Sequence, residues 1–170
     1  MTTGRTIAYT YISKLLQATY IASEEGTEIR RLGCQACGKK FLVLSEETTM
    51  KDVRIATINH LQQEHAVMWT SLVDAGDACL EAATAAWNAG EDFLGVENFF
   101  GCADNTRNLS IVCPVEECCE WFNHKIPAHA QLGPGNLDIS DELQHYFITR
   151  LANHYMATHS ITDLPIPTTH

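Results

Sequence analysis

"RLGCQACGKKF" (Arg31–Phe41) and, farther on, "INHLQQEH" (Ile58–His65) carry two cysteines and two histidines at spacings that one metal ion can join. Cys34 and Cys37 stand three positions apart, so one tight turn can present both sulfurs to a single ion. His60 and His65 can offer two ring nitrogens from the end of a helix. A structural Zn²⁺ takes four nitrogen or sulfur donors in a tetrahedron, and two thiolates neutralise its charge. These four residues make a complete set. Histidines five positions apart do not stack on a helix of about 3.6 residues per turn, so its last turn is expected to tighten or bulge.

The pattern returns in the second half of the chain. "VCPVEECCEWF" (Val112–Phe122) echoes the cysteine piece, and "ANHYMATH" (Ala152–His159) echoes the histidine piece. In both copies a Phe follows the second Cys with three residues between, at Phe41 and Phe122. In both, Asn-His is followed by four residues and another His. The Cys-to-His gap holds 22 residues in the first copy and 35 in the second. The Gly- and Pro-rich stretch Lys125–Leu137, a surface insertion of the kind loops tolerate, accounts for the difference. The chain therefore reads as an internal duplication with a second metal set, Cys113, Cys118, His154 and His159. Cys119 is an alternative to Cys118. His124 and His129 could instead close a compact knuckle with Cys113 and Cys118, although Pro127 between them and the match to the first copy favour the helix-borne pair. Cys79 and Cys102 are read as core residues.

Helix signals support this geometry. Thr49 with Asp52 resembles a capping box that starts a helix running to His65. Ser140, Asp141 and Glu142 start another, whose apolar stripe is Leu143, Phe147, Leu151 and Tyr155. Between the two copies, Leu72, Gly76, Cys79 or Leu80, Ala83 and Trp87 recur at helical spacing over 67–89, with Gly90 as the stop. Ile7, Tyr11, Leu15 and Ala18 or Thr19 mark a further helical stripe over 5–22, which Gly26 breaks. Residues 90–108 read as an irregular connection, and the end of the chain as an extended tail.

Both copies resemble Cys2His2 zinc fingers, in which a small hairpin carrying two Cys packs on a helix carrying two His. "CGKKF" (Cys37–Phe41) matches the family's Gly-Lys after the second Cys and its aromatic residue. Leu32 and Ile111, two before each first Cys, fill a hydrophobic position of the family. Leu151, three before His154, fills another, where the first copy has Thr57. The long Cys-to-His gaps depart from the family's usual spacing of about 12–15 residues, which implies elaborated fingers.

Composition sets the functional limits. With 45% hydrophobic residues the chain can bury a sizeable core, and its net charge of −10 disfavours general attraction to phosphate or anionic lipid. The six bases Arg30, Arg31, Lys39, Lys40, Lys51 and Arg54 gather near the first cysteine pair, whereas residues 67–106 carry seven acids and no Lys or Arg. A nucleic-acid reader of this type tracks one groove with closely linked fingers. Here 47 residues separate His65 from Cys113. Counting back from the first His puts Val53, Ala56 and Asn59 at base-reading positions of one helix, and Phe147, Arg150 and Asn153 at those of the other; only the two Asn and the Arg suit base edges, and solvated or core-facing side chains are the better reading. A catalytic zinc would keep one position open for water, and both sets are closed.

Seven cysteines are an odd number for a disulfide framework. No signal segment and no apolar run of about 20 residues is evident, so an intracellular protein, cytoplasmic or nuclear, is expected, with no membrane role. The expected fold is α+β and predominantly helical: two elaborated zinc-finger-like modules, each a hairpin plus a helix, packed with additional helices. The expected organisation is an N-terminal helix over 1–27, a first module over 28–66, an Ala-rich acidic helix and connection over 67–106, a second module over 107–160 and a tail over 161–170. Two structural Zn²⁺ ions and a structural or protein-interaction role follow, with a protein partner or self-assembly. The alternative is a nucleic-acid-binding regulator acting through the six bases of the first module. An enzyme is not expected.

Overall fold

The computed structural model describes residues 2–15, 20–24, 27–89, 94–97, 106–118, 120–127, 132–133, 136–137 and 141–159. Ala18, Thr19, Gly26, Gly90, Cys102, Cys119, His129, Ser140 and the 161–170 tail lie outside these residues. The chain divides into two units, Thr3–Asp77 and a second made of Ala78–His170 with Met1–Thr2. The first unit contains α1 (Gly4–Leu15), β1 (Tyr20–Glu24), β2 (Thr27–Gly33), β3 (Lys40–Leu44), α2 (Met50–Glu64) and the opening part of α3 (Ala66–Ala89). The second contains the rest of α3, then β4 (Leu94–Glu97), β5 (Thr106–Val112), β6 (Trp121–Pro127), the two-residue strands β7 (Leu132–Gly133) and β8 (Asn136–Leu137), and α4 (Asp141–Thr158). Helices hold more of the described residues than strands, as an α+β fold weighted toward helix requires.

Each unit builds a three-stranded antiparallel meander, β1-β2-β3 in one and β4-β5-β6 in the other. Tyr20 faces Arg31 and Glu24 faces Thr27 across the first hairpin, while Arg30 faces Leu44 across the second. In the second unit Leu94 faces Ile111, and Val112 faces Trp121. Both cysteine pairs fall in the turn between the second and third strands of their meander. A helix precedes each meander and a helix follows it, so the two units repeat one order of elements.

Two sequence expectations change here. The stripe over 5–22 suggests one helix, but α1 ends at Leu15 and Tyr20–Glu24 is a strand. Residues 90–108 read as irregular, yet they contain β4 and the start of β5. In both places a strand gains its backbone hydrogen bonds from a partner downstream, and the hairpin expected in each module becomes a three-stranded sheet.

The expected capping box starts α2. Thr49 Oγ1 accepts from the Asp52 N–H at 3.2 Å, and Asp52 Oδ2 accepts from the Thr49 N–H at 2.9 Å. The hydrogen bonds from the Thr49 side chain and backbone also hold the Asp52 carboxyl below its ordinary range. The inner face of α2 buries Ile58 and Leu61 against Ala8 and Ile12 of α1 and Trp69 of α3, with Tyr9, Leu72 and Val73 packed around them. Thr57, a polar residue where a finger would carry an apolar one, is 1% exposed. Its hydroxyl donates to the Val53 carbonyl at 2.7 Å, so it enters the core with its polar group satisfied.

The second core is built from the expected stripe of α4. Phe147, Leu151 and Tyr155 are fully buried, as are Cys79 and Ala83 of α3. Trp87 stacks on Phe147 with ring centroids 5.9 Å apart. Thr2 is tied to α4 through its hydroxyl, 2.8 Å from His145 Nε2 and 2.9 Å from Thr149 Oγ1.

One contact in the first unit has no sequence signal. The start of α1 lies against α3 through two glycines, Gly4 and Gly76. The Gly4 N–H donates to Asp77 Oδ1 at 2.9 Å, so a carboxylate from α3 caps the N-terminus of α1. A Cβ at Gly76 would meet the backbone carbonyl of Gly4, with the Gly4 carbonyl carbon at 3.0 Å and its Cα at 3.1 Å.

Candidate metal centres

The turn after β2 arranges the first sulfur pair. The Gly38 N–H donates to the Cys34 carbonyl at 2.7 Å, and the Cys34 N–H donates to the Lys39 carbonyl at 2.9 Å. Gly38 has φ +71°, a left-handed conformation that a residue without a Cβ adopts at little cost. In the longer loop of the second unit, the Cys113 N–H donates to the Glu120 carbonyl and the Cys118 N–H to the Val115 carbonyl, at 2.9 and 3.0 Å. There Glu117 takes the left-handed conformation, at φ 67°. The glycine of the first knuckle has no counterpart in the second, which is one reason the second is harder to delimit from sequence.

The histidine spacing is accommodated differently from the expectation. No bulge is needed, because each helix stops one residue before its second histidine. His60 lies within α2, while His65 caps its end with φ −135° and ψ 43°, its N–H donating to the Leu61 carbonyl at 2.9 Å. The His65 carbonyl then accepts from the Trp69 N–H at 2.9 Å, so His65 is also the corner from which α3 departs. His159 likewise follows the last residue of α4, with its N–H on the Tyr155 carbonyl at 3.0 Å.

The structure brings Cys34, Cys37, His60 and His65 into one group and Cys113, Cys118, His154 and His159 into another, with the donor atoms of each group within 4.8 Å of one another. Each histidine points Nε2 at a sulfur. The separations are 3.5 Å for Cys34–His65, 3.6 Å for Cys37–His60, 3.5 Å for Cys113–His159 and 3.4 Å for Cys118–His154. Zn–S and Zn–N bonds of about 2.3 and 2.0–2.1 Å set at the tetrahedral angle place S and N about 3.6 Å apart, so these separations match the edges of such a tetrahedron. His154 and His159 Nε2 lie 3.0 Å apart, a little inside the roughly 3.3 Å that the same tetrahedron gives.

The electrostatics suit a cation. Burial, and then the neighbouring His65, lower the pKa of His60; burial, and then His159, lower that of His154. Neutral imidazole is the form that ligates a metal. Burial pushes the Cys113 thiol up to about 12, and a bound cation reverses that preference by stabilising the thiolate.

Surrounding groups hold the donors in place. Phe41 stacks on the His60 ring at 4.6 Å and 5°, and Phe122 meets His154 edge-on at 5.2 Å. These contacts give a physical role to the Phe that recurs after each second cysteine. Thr158 Oγ1 lies 3.4 Å from His154 Nδ1, so the contact falls on the ring nitrogen that faces away from Cys118 and leaves Nε2 free to ligate. Lys39 and Glu64 pair at 2.9 Å and link the cysteine turn to the last turn of α2. No motif or spacing in the sequence points to the Thr158 contact or to the Lys39–Glu64 pair.

The six bases near the first group are placed as follows. Arg30, Lys40 and Lys51 are exposed, Arg31 is half-buried, Lys39 is paired with Glu64, and the Arg54 guanidinium lies 5.3 Å over the Tyr9 ring. Of the counted base-reading positions, Phe147 is fully buried and Arg150 lies over Phe122 and Tyr146, while Asn59 faces solvent. His124 lies on β6, opposite Leu109. No helix among the described residues is long and apolar enough to cross a membrane. No family model matches the chain, and no curated protein or solved structure is significantly similar to it. The likeness to Cys2His2 fingers therefore rests on the eight residues, their spacing and their geometry.

Proposed function

We propose that the protein is a zinc-stabilised structural protein made of two duplicated modules, each closed on one Zn²⁺ by two cysteines and two histidines. The observation that carries this reading is the set of four S···N separations between 3.4 and 3.6 Å, two in each unit. The shared order of helix, meander, cysteine turn and helix supports duplication of a unit larger than the hairpin-plus-helix of a finger. Four protein donors leave no position for a substrate or a reactive water, so the metal supplies folding energy rather than catalysis. The acidic chain then serves as a platform for another protein or as a subunit of an assembly. Nothing in the placement of the six bases favours nucleic acid, since two of them are already engaged by Glu64 and Tyr9.

X-ray absorption at the zinc edge tests the closed shell. Two sulfurs at about 2.3 Å and two nitrogens at about 2.0 Å are expected; an exchangeable oxygen ligand would overturn the structural role. For the partner class, titration of duplex and single-stranded nucleic acid at increasing salt is expected to show almost no binding. A steep fall of log K with log salt would instead support the nucleic-acid alternative.

A further inference from the structure

The two donor sets differ in their access to solvent. In the first, Cys34, His60 and His65 are buried or half-buried, but Cys37 is exposed. In the second, Cys113 and His154 are buried and Cys118 and His159 half-buried, so no donor is fully exposed. We propose that the first centre is an oxidant-sensitive switch, discharged by a disulfide between Cys34 and Cys37 under conditions that leave the second centre loaded. The switch rests on the reading of both sets as zinc centres.

The chemistry follows from exposure and from the short turn. Oxidation of a thiolate depends on access of the oxidant to sulfur. A hydroperoxide reaching the exposed Cys37 is attacked by its sulfur, the O–O bond breaks, and Cys37 becomes a sulfenic acid while one oxygen leaves as water after protonation. Cys34, across the same turn and with its Sγ in the same 4.8 Å group, then attacks the Cys37 sulfur. The S–O bond breaks and a second water leaves. In sum, two thiolates, one hydrogen peroxide and two protons give one disulfide and two waters. His60 and His65 alone do not make a structural four-donor set, so the ion is lost.

The mechanical consequence lies at His65. That residue both ends α2 and accepts the first backbone hydrogen bond of α3. Discharge releases the α2–α3 corner from the cysteine turn, leaving the exposed Lys39–Glu64 pair, which contributes little on its own, between them. The second centre keeps its module folded through the event. The device therefore changes one half of the molecule and spares the other.

The test uses the full chain, reduced and loaded with zinc, exposed to a few equivalents of hydrogen peroxide. Released zinc is followed with a chromogenic chelator and the products by native mass spectrometry and peptide mapping. One zinc per chain is expected to leave at least about tenfold faster than the other, with a disulfide mapped to Cys34–Cys37. In Cys113→Ser the fast phase is expected to persist; in Cys34→Ser it is expected to vanish. Equal release from both centres, prior oxidation of Cys113 or Cys118, or retention of both ions would overturn the proposal. Wild-type protein holding no zinc before peroxide is added would overturn the reading of the centres themselves, which separates the two failures.

Discussion

Cys113→Ser is expected to bind one zinc instead of two and to unfold the second unit while the first keeps its structure. Cys113 is buried, and its sulfur lies 3.5 Å from His159 Nε2, so serine removes a soft donor from the interior of the set. Its hydroxyl replaces neither the charge nor the bond of a thiolate. A structural zinc contributes on the order of 10 kcal/mol when its ligands come from an unfolded chain. A whole domain retains only about 5–15 kcal/mol. A loss of that size is comparable to everything a domain retains, so without its metal the second unit is expected not to fold. The buried α4 face of Phe147, Leu151 and Tyr155 would then lack the tie from His154 and His159 to the cysteine loop. Residue-resolved NMR should show dispersed signals for Thr3–Asp77 and collapsed ones for β5, β6 and α4. A fully dispersed spectrum with two bound zincs would contradict this expectation.

Gly76→Ala is expected to destabilise the first unit by about 1–3 kcal/mol, the usual cost of forcing an atom into a packed interface. Helix propensity alone predicts the opposite sign, a gain of about 1 kcal/mol for alanine over glycine inside a helix. The steric effect wins because the obstacle is backbone. The new methyl group would meet the Gly4 carbonyl, with two further Gly4 backbone atoms at 3.0 and 3.1 Å. To make room α1 must move, and that disturbs its buried Ile7, Ala8 and Ile12 as well as the hydrogen bond from the Gly4 N–H to Asp77. Urea denaturation should show a lower midpoint at unchanged slope. A raised midpoint would mean that α1 does not lie against α3 through these glycines.

Cys113 and Gly76 also differ in how plainly a linear sequence displays their roles. Metal chemistry restricts both residue type and spacing, so the eight Cys and His that the structure gathers stand out from the sequence. The start of α2 is legible for a similar reason: Thr49 and Asp52 act through contacts three residues apart, within the reach of a local pattern. The Phe147–Leu151–Tyr155 stripe follows from helical periodicity, and Cys79 is buried as its place on the α3 stripe suggests. Features that depend on contacts between distant segments stay hidden. Tyr20–Glu24 continues the apolar rhythm of α1 and becomes a strand only by pairing with Thr27–Arg31. β4 is four residues long and is defined by its pairing with β5. Gly76 is a neutral step in a helical pattern, and only the approach of Gly4 gives it a role. The i,i+5 histidines are a poor fit to a regular helix, and ending the helix solves the problem more simply than bending it.

Closure of each unit on its own zinc sets the metal content of the intact chain, which native mass spectrometry counts. Wild-type protein should carry two zinc ions, and Cys34→Ser and Cys113→Ser one each. Folded wild-type protein carrying no zinc would mean that neither unit closes on the metal.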